Sequence, residues 1–137
     1  MKLEIEISQE FEKIRMILYK NGIMNVVFKK DCFIILEDLT EVLAWVDSLG
    51  KDRKYLNLME AENNSQIDAE VRSFSASKEE NKHTIADGFV MTSQAHKLIS
   101  NFYMKFNKPA KPSKTFTERN KAIQWLLEQK ELYYQNS

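Results

Sequence analysis

The chain predicts an α/β protein: a mixed β-sheet packed by helices, with a β-hairpin near its N-terminus. Three observations carry that expectation. Two apolar runs, Ile14 to Tyr19 and Ile23 to Phe28, flank Lys20-Asn21-Gly22, and Asn-Gly readily takes the positive φ angles of a tight hairpin turn. Further strand-like runs, Tyr55 to Met59 and Ile85 to Met91, alternate with segments whose apolar residues recur at helical spacing. The stretch from Thr92 to Glu128 then reads as an amphipathic helix, a lysine-studded connector, a short strand and a final helix. Strands alternating with helices imply crossover connections and helices laid against the sheet, here one of roughly five strands.

Each element has its own local reason. Leu3, Ile5 and Ile7 alternate with Lys2, Glu4 and Glu6, the period-two signature of a half-buried strand. A helix is expected over Glu37 to Leu49, with Leu39, Val42, Leu43, Val46 and Leu49 on one face. Gly50 suits the position just past its end, and no Ser, Thr or Asn cap marks its start. After the polar stretch Ala61 to Gln66, a helix of weaker periodicity runs from Ile67 to about Ser77 through Val71 and Phe74. Lys78 to Thr84 is polar and expected to be the loosest ordered segment. Gly88 inside the next strand marks a close approach of backbone.

In the closing block, Ser93 is placed to cap a helix whose buried face is Ala95, Leu98, Ile99, Phe102, Tyr103 and Phe106. Pro109 and Pro112 forbid its continuation. Lys114-Thr115-Phe116 is short enough for an edge strand, and Thr117 is expected to cap a last helix carrying Ala122, Ile123, Leu126 and Leu127.

Size and composition narrow the classes. At 137 residues one domain, 1–137, is expected, long enough to fold without disulfide or metal. No apolar run approaches the ~20 residues of a membrane span, so no integral membrane segment is expected. The start, MKLEIEI, lacks a signal peptide's apolar core, and Cys32 is the single cysteine; both favour a cytoplasmic protein. Net charge is zero but uneven: residues 1–92 hold 12 Lys/Arg against 17 Asp/Glu, and residues 93–137 hold 8 against 3. An acidic body with a basic end argues against nucleic-acid binding, which favours a domain basic throughout. It allows a local basic patch, or contact between copies as a homo-oligomer.

Several strings resemble the SpoIIAA-like branch of the STAS superfamily, the fold of anti-sigma-factor antagonists. Asn21 to Phe28 resembles that family's hairpin, and Ile35-Leu36-Glu37-Asp38 its helix entry. The closing pattern is the most specific: Asn101 to Pro112, Thr115-Phe116-Thr117 and Ala122 to Leu126. The likeness runs from about Glu12 to the end. It implies a small α/β domain without chemistry of its own. Better-known members act in partner switching, where a serine at the start of the helix after the central strand is phosphorylated in an Asp-Ser-Ser/Thr-Gly motif. Glu62-Asn63-Asn64-Ser65-Gln66 stands in the comparable region and lacks that acidic-serine-glycine context.

Candidate sites follow. Ser65 is the candidate regulatory phosphosite, at a helix N-terminus where the dipole favours added negative charge; its plainer role is to cap that helix. Lys105, Lys108, Lys111 and Lys114 recur every third residue, the period of polyproline II, and form a candidate partner or anion surface. The plainer reading is a solvated connector guarding an edge strand. His83 and His96 read as exposed surface histidines, and neither they nor Cys32 has metal-ligand spacing. Glu60 and Glu62, after the central strand, are the one acidic pair worth inspecting for chemistry. Met104 and Trp125, if exposed, point to a partner surface. No catalytic residue, cofactor or metal is expected. The expected function is a non-enzymatic cytoplasmic module binding an unidentified protein partner; the alternative is a carrier of a small apolar ligand or lipid.

Overall fold

The computed structural model describes residues 3–75, 80–91 and 111–136. Among the described residues the main sheet has six strands: β1 (Ile5–Glu10), β2 (Ile14–Tyr19), β3 (Ile23–Phe28), β5 (Tyr55–Ala61), β7 (Thr84–Val90) and β8 (Ser113–Phe116), in that spatial order. β1, β2 and β3 pair antiparallel, and β3, β5, β7 and β8 run parallel. The sheet is mixed, as the alternation of elements predicts.

The hairpin β2–β3 has the expected bounds. Gly22 sits at φ +95°, its N–H donates to the Tyr19 carbonyl at 3.0 Å, and Asn21 Oδ1 accepts from the Ile23 N–H. Two short strands absent from the expectation, β4 (Phe33–Ile34) and β6 (Gln66–Ile67), form a separate parallel ribbon. The loops leading into it hold Asp31 and Asn64 at φ 58° and 60°, residues that tolerate the left-handed region, and Asn64 Nδ2 donates to Asp31 Oδ1.

A short 3-10 turn (Leu36–Asp38) leads into α1 (Leu39–Ser48). Asp38 accepts from the Ile35 N–H at 2.9 Å and pairs with Lys13 at 3.0 Å, so the helix entry is held by an aspartate. α2 (Ala69–Ser75) starts two residues later than expected because Ile67 is spent on β6. A second 3-10 turn (Glu80–His83) precedes β7. The last helix, α3 (Arg119–Gln135), is capped at Glu118 without a side-chain bond, so Thr117 is not its cap. The helix expected between Ser93 and Phe106 lies outside the described residues.

The sheet buries both faces. On one, α3 sets Ala122, Ile123 and Leu126 against Tyr19, Ile23, Leu56, Leu58, Ala86 and Val90. A Cβ built on Gly88 would stand 3.3 Å from Leu126, which explains glycine inside β7. On the other face, α1 and α2 bring Val42 and Val71 to Ile14, Met16, Leu18, Met24, Phe28 and Tyr55. Strand β1 corrects an expectation: Ile5 and Ile7 are 56% and 39% exposed, not half-buried. The register slips between Ile5 and Ile7, which breaks the inward alternation. Among the described residues, no helix is long and apolar enough to cross a membrane.

Candidate functional site

Between the sheet and the helices α1 and α2 lies a cavity of about 240 Å³. Its floor is the α1/α2 side of β2, β3 and β5: Ile14, Met16, Met24, Val26, Phe28 and Met59. Its roof is Leu39, Val42, Leu43 and Val46 from α1, with Val71 and Phe74 from α2. Strand alternation puts the first set on one face, and the i, i+3, i+4, i+7 stripe of α1 supplies the second. Polar groups gather at one end: Asp47, Asn57, Lys82, His83 and Thr84. Asp47 and Lys82 are more than half exposed there, so this end meets solvent.

That mouth is organised by His83, which is 7% exposed. Its Nδ1 faces the Arg53 carbonyl at 2.9 Å and its Nε2 faces Asp47 Oδ1 at 2.8 Å. Both partners are acceptors, so only the doubly protonated imidazole makes both bonds; the neutral ring makes one. The bond from His83, then that from Lys82 at 3.3 Å, holds the Asp47 carboxyl below the usual aspartate range. Lys54 Nζ donates to the Lys82 carbonyl. The clamp ties α1, the start of β5 and the start of β7 together.

Deeper in, Asn57 Nδ2 donates to Thr84 Oγ1 at 3.2 Å and to Asp87 Oδ1 at 3.0 Å. Asp87 pairs with Lys111 at 2.9 Å, with both side chains buried. Tyr55 is buried beside His83, ring centroids 6.3 Å apart, under the Arg53 guanidinium at 5.5 Å. Its Oη has no hydrogen-bond partner among the described residues, and burial pushes its phenol above the usual range.

The far end of the sheet, where β3 and β5 finish, is a web of neutralised charge. Glu60 accepts from Asn25 Nδ2 at 2.9 Å and from Arg119 Nε at 3.1 Å, and Arg119 also donates to Asn25 Oδ1. Glu62 faces Arg15 at 3.6 Å and accepts from the Lys30 N–H. Glu10 takes Lys29 at 2.6 Å and Arg15 at 2.7 Å, which together hold it below the usual carboxylate range. The acidic pair singled out in the sequence thus anchors α3 and the β2–β3 hairpin. Among the described residues, no group of three or more His, Cys, Asp or Glu side chains is placed to hold a metal ion.

Ser65 is fully buried just before β6, four residues ahead of α2, and its Oγ has no hydrogen-bond partner among the described residues. It does not cap α2, and its hydroxyl is not accessible for phosphorylation in this conformation. Lys105, Lys108, His96 and Met104 lie outside the described residues. Lys111 is 5% exposed against Asp87, so it does not stand on an open cationic edge; Lys114 is exposed, 5.5 Å over the Phe116 ring. His83 is a buried clamp rather than a surface histidine. Trp125 is partly buried against Phe116, and Cys32 packs partly buried beside the α1/α2 core. The cavity itself was not singled out in the sequence. Its available signal is the three methionines, Met16, Met24 and Met59, on one face of adjacent strands.

The chain belongs to the family described as Domain of unknown function (DUF7793), whose sequence pattern matches residues 17–130. No curated protein matches it. It is similar at 17% identity to a crystal structure of a protein with unknown function from Arthrobacter sp. FB24. That match covers 81% of this chain and 96% of that one, with a TM-score of 0.29.

Proposed function

We propose that the protein is a non-enzymatic binding domain that holds a small apolar ligand between its sheet and helices α1 and α2. The observation that carries this reading is the 240 Å³ cavity, lined by aliphatic, aromatic and methionine side chains with polar groups confined to one end. Apolar walls with a few placed polar groups are the general form of a small-molecule site. Methionine suits such a wall because its unbranched thioether side chain adapts to differing shapes. The neutralised Glu60 and Glu62, each facing an arginine, support binding rather than acid–base chemistry. Native mass spectrometry of freshly purified protein tests the reading: a stoichiometric small-molecule adduct supports it. A ligand-free chain that also takes up no apolar probe overturns it.

A second reading, a SpoIIAA-like STAS module acting in the cytoplasm through protein contacts, draws on the hairpin and closing-block resemblance. It is also favoured by Ile5 and Ile7 exposed on the edge strand β1, since an open edge is a template for an added strand. Because Ser65 is buried, this reading does not use it as a switch in the folded state. Loss of a captured partner on changing Ile5 and Ile7 to Lys supports it; capture unchanged by that variant removes it.

A further inference from the structure

We infer that the ligand is a short amphiphile carrying a carboxylate, with its apolar tail in the cavity and its acid group at Lys82. This rests on the ligand-binding reading above and adds the chemical class. Size sets the tail. An apolar cavity of ~150 Å³ admits benzene, so 240 Å³ corresponds to roughly ten heavy atoms, the scale of an eight-carbon monocarboxylate.

Charge sets the head. Among the described residues the charged side chains that line the mouth are Asp47 and Lys82, 3.3 Å apart, and Asp47 also meets His83 Nε2 at 2.8 Å. Beside it stand Lys82 and Lys54, whose Nζ donates to the Lys82 carbonyl. Arg53 is occupied by Glu6, through bonds of 2.9 and 3.0 Å. Among the described residues the mouth therefore sets two ammonium groups, Lys82 and Lys54, against the one carboxylate of Asp47 that lines it. Both hydrogens of the Asn57 amide are taken, whereas the Thr84 hydroxyl accepts from Asn57 and keeps its own proton to donate. Lys82 is 62% exposed, and an exposed pair such as Lys82–Asp47 contributes little, so its ammonium exchanges readily onto an incoming carboxylate. A cationic ligand meets repulsion at the same place.

Isothermal titration of the whole chain with sodium octanoate and with 1-octanol separates the two claims. The tail is shared, and only the head differs. Octanoate is expected to bind about tenfold or more tighter than octanol, the scale of one hydrogen bond to a charged group. Lys82→Gln, a change at an exposed side chain, is expected to remove that advantage and leave octanol binding within about threefold. Octanol binding as tightly as octanoate, or Lys82→Gln leaving octanoate unaffected, overturns the carboxylate assignment while the apolar-ligand reading stands. Neither compound binding overturns both.

Discussion

Replacing Tyr55 with Phe is expected to stabilise the protein. Tyr55 is buried at the start of β5, and its Oη is shielded from solvent with no hydrogen-bond partner among the described residues. Folding strips that hydroxyl of water and gives nothing in return, a penalty of about 1–3 kcal/mol. Phe keeps the ring, its place under Arg53 and its contact with His83. Discounting for relaxation, the net gain is about 1 kcal/mol, or a Tm rise of about 4 °C for a chain of this size. Urea unfolding of both proteins at neutral pH reads the difference, provided the m-value is unchanged. A second signature is alkaline. Burial raises the Tyr55 phenol, so the unfolded chain releases that proton near pH 10 while the folded chain still holds it. In that window the unfolded state binds fewer protons, and stability falls as pH rises. The gap between Tyr55→Phe and the natural protein should therefore widen above about pH 10, by at most about 1.4 kcal/mol per pH unit. A Tyr55→Phe protein that is less stable at neutral pH, with no alkaline widening, refutes the reasoning and implies a partner for Oη.

Other expectations follow from the same packing. Gly88→Val pushes methyl groups into Leu126 and should destabilise by about 1–3 kcal/mol. Leu126→Ala alone should cost about 2–5 kcal/mol, and the double variant clearly less than the sum, because the added volume refills the space removed; additive melts would refute the contact. Val42→Phe, which grows from α1 into the cavity, should raise stability by about 0.5–2 kcal/mol and abolish uptake of apolar ligand in the same titration. Glu6 is held below the usual range by Arg53, Glu10 by Lys29 and Arg15, and Asp47 by His83 and Lys82. Depressed carboxyls stabilise above their unfolded values and lose that contribution as pH falls through the folded ones. Acid unfolding should therefore steepen below about pH 4, and Glu6→Gln should show a shallower acid limb in a circular-dichroism titration.

Much of the fold was legible because long periodic runs leave few options. The bounds of β2 and β3 follow from two apolar runs and Asn21-Gly22, and the α1 face follows from Leu39, Val42, Leu43 and Val46. The ribbon of β4 and β6 was not legible, since two residues per strand have no period to detect. Its real signal is the pair Asp31 and Asn64 at positive φ, a property of backbone that side-chain hydropathy does not report. Strand β1 misled for a related reason: the alternation of Leu3, Ile5 and Ile7 is genuine, but a register slip sets Ile5 opposite Tyr19 and Ile7 opposite Leu18, on different faces, and every residue of this strand is exposed. The helix entry at Asp38 was hidden because its carboxylate reaches back to Ile35 and across to Lys13.

The site was less legible than the fold because it is made of pairings between distant segments. His83 lies in a polar stretch, and by composition alone it belongs at the surface. What buries it is an acceptor on each side, Asp47 from α1 and the Arg53 carbonyl ahead of β5, separated from it by 36 and 30 residues. The same holds for Glu60, whose acidity suggested chemistry until Asn25 and Arg119 closed on it from 35 and 59 residues away. A charged side chain in a sequence offers a capacity, and the fold decides whether a partner consumes it. At the sheet's far end the bridges match carboxylate to cation, whereas at the cavity mouth the Asp47 carboxylate meets both the Lys82 ammonium and the His83 ring. That shared carboxylate beside an apolar cavity is what distinguishes the mouth from a structural salt-bridge web, and it is the physical basis for the proposal of a ligand there.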